Sequence, residues 1–257
     1  MSRPPPERRR IENDERRFFA QYYAEQAYHA VGWRLRLERD ARLLREAAPG
    51  GRLGRVLSVG CGDGQFELML APCAERVTGI DLSPEAIAAA EAARSAQGID
   101  NVEFRCLSFA DLDWDQSFDT IVCLAFLHHV PERDLPHFLA AARRHLHPGG
   151  IFYAQDPNVR GVLRAVGRKL MGRRYDTYHT PDERELDPDE TVSTLQAAGF
   201  GAVEVRFVDL TLIPALYLWK RGAAWPLRMA AAVDRAFCAS PLARWASGFA
   251  VIARARA

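Results

Sequence analysis

The residues with the clearest chemical potential are a glycine-rich turn and an acidic residue that follows it. Residues 60–64 read Gly-Cys-Gly-Asp-Gly, directly after the apolar run at 56–59. Asp81 stands at the end of a second apolar run, residues 77–80. Glycines after a buried strand let a ligand approach the backbone closely, and an acid at the tip of the next strand can accept hydrogen bonds from a ribose diol. This pairing predicts a site for a nucleoside-containing cofactor.

The spacing of the glycines excludes two common nucleotide motifs. The dinucleotide fingerprint needs glycine at its first, third and sixth positions, but the sixth position here is Gln65. A P-loop needs Lys and then Ser or Thr after its glycines, whereas Gln65 and Phe66 follow Gly64. The turn therefore indicates a different cofactor.

The Gly-x-Gly-x-Gly turn with a downstream acid resembles the class I S-adenosylmethionine-dependent methyltransferases. Three further segments match that family in the same order: the run at 117–123 resembles its fourth strand, Leu-His-His-Val at 127–130 the loop after that strand, and Leu-His-Pro-Gly-Gly at 146–150 the turn before its fifth strand. The resemblance covers about residues 54–158. It implies an α/β fold with a doubly wound, Rossmann-like, seven-stranded and mostly parallel sheet. It also implies S-adenosyl-L-methionine as the cofactor and S-adenosylhomocysteine as the product.

The resemblance assigns roles to individual residues. Gly60, Gly62 and Gly64 would flank the methionine part of the cofactor. Asp81 would take the ribose hydroxyls, and Leu82 would lie against the adenine. No role in this set requires a metal.

Two positions depart from the family pattern. The family often has an acid where Ser58 stands. It also often has an acid near position 108 followed by a small residue beside the adenine, whereas this chain has Ser108 and Phe109. A hydroxyl can still accept from an exocyclic amine, but the contact is weaker than one with a charged group. Asp111 is the alternative partner if the register differs.

His128 and His129 follow the predicted fourth strand and are candidate catalytic residues. A histidine there could deprotonate a nucleophile near neutral pH, or both rings could simply pack locally. Metal binding by the pair is not expected, because adjacent residues point apart on a strand and no third ligand is evident. Methyl transfer from a sulfonium needs little beyond aligned reactants and a dry site, so a base is not essential.

Composition is that of a globular protein with one domain of this type. Hydrophobic residues make up 48% of the 257 residues, which is enough for a full core. The 34 Lys and Arg against 33 Asp and Glu give a net charge of +1, which argues against a dedicated nucleic-acid binder. The five cysteines are scattered, which predicts reduced thiols and a cytoplasmic location. Neither a secretory signal nor a membrane-spanning run is expected.

Periodicity divides the chain into two parts. Residues 1–50 are predicted to form a flexible tail and a helical cap, and residues 51–257 the methyltransferase-like domain. Ser83 and Asp187 each precede a proline, a pattern typical of helix starts, while Gly199 predicts a helix stop. Runs at 202–208 and 249–253 predict the last two strands, and the resemblance makes the seventh antiparallel.

Two segments exceed the minimal fold. Residues 158–186 leave the carboxyl end of the predicted fifth strand, where ligands bind in open α/β sheets, so they are expected to cover a substrate. Residues 210–247 are rich in apolar and aromatic side chains. That second segment suits a lipid interface or an apolar acceptor, a homodimer contact, or an extra core layer.

The first of these segments carries a basic amphipathic pattern. Arg160, Arg164 and Arg168 fall four residues apart among apolar residues. Such a helix can contact anionic lipid at the inner membrane surface or a phosphorylated substrate, or it can be an ordinary solvated face. Further candidates for contact with the acceptor are Tyr175, Tyr178, His179 and the run Asp156-Pro157-Asn158, which could equally form only a turn.

The expected function is methyl transfer from S-adenosylmethionine to a small-molecule or amphiphilic, lipid-linked acceptor, by in-line displacement. One alternative is a non-catalytic cofactor-binding partner subunit, because Ser58 and Ser108 depart from the family pattern. Another is a nucleic-acid methyltransferase, which would need an Asn/Asp-Pro-Pro-Tyr/Phe-like motif where residues 125–128 read Ala-Phe-Leu-His.

Overall fold

The computed structural model describes residues 30–111, 117–172, 183–219 and 222–256, together with Arg10 and Asp14. The predictions for the start of the N-terminal helical cap and for Tyr175, Tyr178 and His179 concern residues outside these ranges. Among the described residues, no helix combines the length and the apolar character needed to cross a bilayer.

The described strands form one sheet. They are β1 (Gly54–Val59), β2 (Ala74–Asp81), β3 (Val102–Cys106), β4 (Phe118–Leu124), β5 (Leu146–Pro157), β6 (Phe200–Val208) and β7 (Gly248–Ala255). Their order is β3-β2-β1-β4-β5-β7-β6. Strands β1 to β5 pair in parallel, and β7 runs antiparallel to both of its neighbours. This arrangement confirms the predicted doubly wound sheet and its antiparallel seventh strand.

The central strands are buried on both faces, which explains their continuous apolar runs. Val56 packs into the core on one side of the sheet, whereas Leu57 packs into the core on the other side. The same alternation separates Phe152 from Tyr153 on β5. Because successive side chains of a strand point to opposite faces, a single run supplies both cores.

Helices cover the two faces of the sheet. They are α1 (Ala30–Ala47), α2 (Gln65–Leu70), α3 (Pro84–Gln97), α4 (Leu135–Arg144), α5 (Val162–Met171), α6 (Pro188–Ala197), α7 (Leu212–Leu218) and α8 (Trp225–Phe237). The predicted helix starts are confirmed: Ser83 accepts from the N–H of Ala86, and Asp187 accepts from that of Asp189. Gly199 follows the end of α6 with φ +94°, as expected for a helix stop.

The segment at 210–247 supplies α7 and α8 and builds part of an extra core layer. Leu212, Leu216 and Leu227 are buried and pack with Leu35 of α1. Other large apolar side chains of the same segment remain exposed, among them Leu218, Trp219, Trp225, Met229 and Phe237. The core-layer interpretation therefore accounts for one face of these helices and leaves the other face to be explained.

The fifth strand begins earlier than the sequence pattern predicts. Residues 146–150 were expected to form a turn before it, but Leu146 already pairs with Phe118 of β4. The next pair joins Ile151 to Thr120, so the residues between them form a bulge. Gly149 has φ +78°, a conformation that allows this bulge without strain.

Candidate active site

The glycine-rich turn joins β1 to α2 at the carboxyl edge of the sheet. Gly60, Gly62 and Gly64 have φ values of +73°, +56° and +75°, in the left-handed region that glycine adopts most readily. A Cβ on Gly60 would lie 2.6 Å from the ring of Phe126, and one on Gly64 would lie 2.5 Å from the ring of Phe104. The path of the turn therefore requires these glycines.

Asp81 ends β2 and holds the glycine turn in place. Its Oδ2 accepts a hydrogen bond from the backbone N–H of Gly62 at 2.9 Å, and its Oδ1 accepts one from Ser83 at 2.9 Å. Burial raises the pKa of the Asp81 carboxyl, although these hydrogen bonds and the charge of His129 act in the opposite direction. Each carboxylate oxygen keeps further lone-pair capacity, so Asp81 can brace the turn and also accept from a ribose diol.

The predicted adenine-side residues lie at the same edge. Leu82 follows Asp81 directly, and the backbone N–H of Leu107 donates to the Asp81 carbonyl at 2.9 Å. This bond places Ser108 and Phe109, at the end of β3, beside the tip of β2. The Phe109 ring packs against an aromatic ring of α4, with centroids 4.1 Å apart. The structure thus brings the predicted adenine-side residues together with Asp81.

His128 lies in the short 3-10 turn Leu127–His129 after β4 and is buried between two carboxylates. Its Nδ1 is 2.7 Å from Oδ1 of Asp156, and its Nε2 is 3.4 Å from Oε1 of Glu183. Burial lowers the pKa of His128, but the hydrogen bonds and charges of Asp156 and Glu183 outweigh it and raise the pKa to about 9. The ring therefore holds its proton at neutral pH.

His129 lies beside His128, with ring centroids 4.0 Å apart, and is partly exposed. The sequence argument against a metal assumed that the two histidines point apart on a strand and that a third ligand is missing. In the structure they occupy a 3-10 turn, and Glu183 is close to both. One ligand-type atom from each of His128, His129 and Glu183 lies within 4.8 Å of the other two. These ligand types suit Zn²⁺, but a metal would have to displace the proton of His128.

Glu67 is a buried acid in the first turn of α2 that no sequence motif singles out. The hydroxyl of Ser58 donates to Oε1 of Glu67 at 2.5 Å. Burial raises the pKa of Glu67 to about 7; the bond from Ser58 opposes the rise, and the charges of Asp63 and Asp81 add to it. The structure thus brings a carboxyl group to Ser58, where the family often has its acid. The sequence feature that could have identified Glu67 is its position as an acid inside an otherwise apolar helical run.

Asp156 and Asn158 are buried at the end of β5 and make structural hydrogen bonds. Besides binding the His128 ring, Asp156 accepts from the backbone N–H of His128 at 3.1 Å. The Asn158 side chain donates to the carbonyls of Arg244 and Ala246 at 3.0 and 2.9 Å. These two residues therefore hold the loop after β4 and the chain before β7 at the same edge of the sheet.

The arginines of the first extra segment are paired with acids that lie beyond the basic run. Arg164 Nε donates to Oε1 of Glu185 at 2.8 Å, and Arg160 donates to Asp187 at 2.8 Å. Arg168 lies 3.5 Å from Glu185 and is 56% exposed. The expected amphipathic helix is present, but its charge is largely compensated. Its exposed apolar residues are Val162, Leu163, Val166 and Leu170.

Comparison with known proteins agrees with this geometry. Residues 56–150 match the family described as a methyltransferase domain. The ubiquinone biosynthesis O-methyltransferase of Xanthomonas euvesicatoria pv. vesicatoria is 34% identical over 158 residues, which cover 59% of this chain and 64% of that protein. The chain therefore spans less than two thirds of the length of the curated relatives that it matches.

Solved structures share the fold at lower identity. A putative methyltransferase, solved in complex with a methyltransferase activator from Haloferax volcanii, has a TM-score of 0.63 at 20% identity, covering 93% of this chain and 98% of that one. The magnesium protoporphyrin IX methyltransferase of Synechocystis PCC 6803 has a TM-score of 0.58 at 16% identity, covering 88% and 84%. Residues 56–150 are thus similar to a methyltransferase domain, and they lie in a sheet whose strand order is that of the class I methyltransferase fold.

Proposed function

We propose that the protein is an S-adenosylmethionine-dependent methyltransferase that acts on a small-molecule or lipid-linked acceptor. The observation that carries the proposal is the hydrogen bond between Asp81 and Gly62. It fixes a carboxylate suited to a ribose diol against a turn that admits a ligand to the backbone. The match of residues 56–150 to a methyltransferase domain supports the same cofactor.

The proposed cofactor contacts follow the carboxyl edge of β1, β2 and β3. The methionine part is bordered by the turn residues Gly60, Gly62 and Gly64. The ribose hydroxyls bind to Asp81 at the end of β2. The adenine is bordered by Leu82, Ser108 and Phe109.

When bound, the cofactor supplies a methyl group on a sulfonium centre. The chain must align the acceptor with it and exclude water. His129 is the residue proposed to receive a proton from the acceptor, because it is partly exposed while His128 beside it keeps its own proton. His128 fixes the loop after β4 through Asp156, and it meets Glu183 of the chain that precedes α6.

The proposed acceptor class is an amphiphile with a hydroxyl group. The curated relatives are named as O-methyltransferases of ubiquinone biosynthesis, which supports an oxygen nucleophile on a partly apolar molecule. Two helices near the substrate edge also expose apolar side chains, α5 with Leu170 at 81% and α7 with Leu218 at 86%. The two helices pack against each other.

A lipid-linked acceptor implies contact with a membrane surface, and we propose such contact for α5. Because Arg160 and Arg164 are paired with acids, the contact depends mainly on apolar burial, and salt weakens it little. Flotation with anionic liposomes tests this: the protein should be recovered, and Val166→Glu with Leu170→Glu should abolish recovery. Leu242→Glu, which also replaces an exposed leucine, is the matched control.

Failure to bind liposomes at any salt concentration would contradict membrane contact. Sedimentation of the same sample then shows whether the exposed apolar residues of α5, α7 and α8 instead pair two copies of the chain. A homodimer that dissociates in the Val166→Glu, Leu170→Glu variant would assign α5 to that interface.

The activity is tested with a labelled methyl donor and a panel of acceptors that includes cell lipid extract. We expect label in a lipid-extractable hydroxyl compound and an equal amount of S-adenosylhomocysteine. Binding of the cofactor without transfer to any acceptor class would favour the non-catalytic subunit. Failure to bind the cofactor would contradict the proposal as a whole.

A further inference from the structure

One carboxylate oxygen beside the glycine turn is buried without a hydrogen-bond partner among the described residues. It is Oε2 of Glu67, whose residue is 1% exposed. The other oxygen, Oε1, accepts from Ser58 at 2.5 Å. Buried polar atoms nearly always have a partner, and a buried carboxylate without one is costly. The unpartnered oxygen therefore indicates that a water or a ligand group belongs there.

The charges around Glu67 are suited to a cation. Asp63, in the glycine turn, and Asp81, which braces it, both act on Glu67 as negative charges. Cys61 in the same turn has its pKa raised by burial and then by the charges of Glu67 and Asp81, so its thiol stays neutral. His129 acts on Asp81, where it opposes the rise in the pKa of the carboxyl. The methionine side of the turn is thus predominantly negative.

We propose that Glu67 belongs to the cofactor site and supplies the negative charge that is neutralised by the α-ammonium group of the cofactor's methionine moiety. The inference rests on the proposed placement of the cofactor at the glycine turn. Glu67 stands in for the acid that the family often has at the position of Ser58. Here the helix supplies the carboxylate, and the strand supplies a hydroxyl that holds it in position.

This role links cofactor binding to the loss of a proton from Glu67. With the pKa of Glu67 at about 7 in the free protein, a ligand with an α-ammonium group binds the ionised form preferentially. Affinity must therefore rise as pH increases through 7 and level off above it. Between pH 6.0 and 7.5 the ionised fraction, and with it the affinity, rises about eightfold. A nucleoside without the amino-acid moiety should show no such change.

The experiment is calorimetric titration of the full chain with S-adenosylhomocysteine and with 5′-deoxy-5′-methylthioadenosine, which lacks the ammonium and carboxylate. The wild type should show the eightfold rise for the first ligand only. Glu67→Gln should remove that rise and weaken S-adenosylhomocysteine about tenfold at pH 7.5, with the second ligand unaffected. Glu103→Gln is the matched control, because Glu103 also accepts from a hydroxyl, that of Thr78 at 2.9 Å.

A second variant keeps the test decisive if Glu67→Gln folds poorly. Ser58→Asp with Glu67→Ser exchanges the acid and the hydroxyl without adding volume, and it should restore tight binding of S-adenosylhomocysteine. Equal losses for both ligands, or a pH dependence that survives in Glu67→Gln, would overturn the role of Glu67 while leaving the cofactor site standing. A wild type that binds neither ligand would overturn the proposed function and this inference together.

Discussion

The carboxylate of Asp81 accepts a hydrogen bond from the backbone N–H of Gly62 at 2.9 Å, which joins the tip of β2 to the turn after β1. The backbone N–H of Gly60 strengthens the same junction by donating to the carbonyl of Ile80 at 2.8 Å. A single acid therefore both shapes the turn and faces the place proposed for the ribose. Loss of Asp81 should disturb the site more than loss of an ordinary surface acid.

The first prediction concerns Asp81→Ala. The variant should bind S-adenosylhomocysteine more weakly by about 1.5–3 kcal/mol, the range for a hydrogen bond to a charged group. Asp119→Ala is the control. Asp119 also accepts a hydrogen bond from a backbone N–H, that of Arg55 at 2.8 Å, but it lies at the amino end of β4, on the opposite edge of the sheet from Asp81. Calorimetry that finds equal affinities in both variants would remove Asp81 from the site.

The second prediction concerns His129→Ala. If His129 receives the acceptor's proton, turnover should fall by about 10²–10⁴-fold, the usual contribution of a general base. The affinity for S-adenosylhomocysteine should change little. Steady-state turnover and titration with S-adenosylhomocysteine, both on the same preparation of the variant, measure these two effects. Near wild-type turnover would leave alignment and exclusion of water as the only means of catalysis.

The third prediction concerns the pH dependence contributed by His128. The pKa of its imidazole rises from the ordinary value of 6.5, which applies to the unfolded chain, to about 9 in the folded protein. The folded state therefore binds the proton more tightly. The stabilisation is complete below pH 6.5 and is lost as pH rises through 9. Its size is on the order of 3 kcal/mol from the shift. Denaturant unfolding should find His128→Asn destabilised at pH 6 by more than at pH 9.5.

An equal loss of unfolding free energy at both pH values would contradict the ion pairs of His128 with Asp156 and Glu183. His137→Asn serves as the control, because His137 is an exposed residue of α4. It should show no such pH-dependent difference.

The fourth prediction concerns the stability of Glu67→Gln without ligand. Burial raises the pKa of Glu67 from 4.5 to about 7, so the folded state resists ionisation. Wild-type stability should therefore fall as pH rises from 4.5 to 7, and the penalty should be complete above 7. Glu67→Gln lacks this penalty and should be the more stable protein at pH 8, by about 3 kcal/mol, but not at pH 4.5. Thermal unfolding at the two pH values measures this, and a variant less stable than the wild type at pH 8 would contradict the destabilising burial of the ionised carboxylate.

Sequence patterns could predict those parts of the site that depend on local order. The glycines and Asp81 lie on consecutive strands of a parallel sheet, whose carboxyl ends meet at one edge, so their proximity follows from the topology. The predicted strands at 202–208 and 249–253 are found as β6 and β7; β6 begins two residues earlier, and β7 begins one residue earlier and ends two residues later. Such shifts are expected, because strand ends depend on the pairing of neighbours.

The contacts that could not be predicted join residues that only the tertiary fold brings together. Glu183 lies 55 positions after His128 in the chain and contacts its ring. Glu185 pairs with Arg164 of α5, although it lies outside the segment of basic residues from which that helix was predicted. Glu67 was missed for a different reason. An acid in a short helix is usually solvated, and only the packing of α2 against α1 and β2 shows that this one is buried.

The proposed function requires the cofactor to lie at the turn of residues 60–64 and on Asp81. A crystal structure of the protein with S-adenosylhomocysteine tests this placement. We expect the ribose hydroxyls on the Asp81 carboxylate, the amino-acid moiety at the glycine turn near Glu67, and the adenine beside Phe109. S-adenosylhomocysteine bound elsewhere, or no density for it at a saturating concentration, would contradict the proposed site.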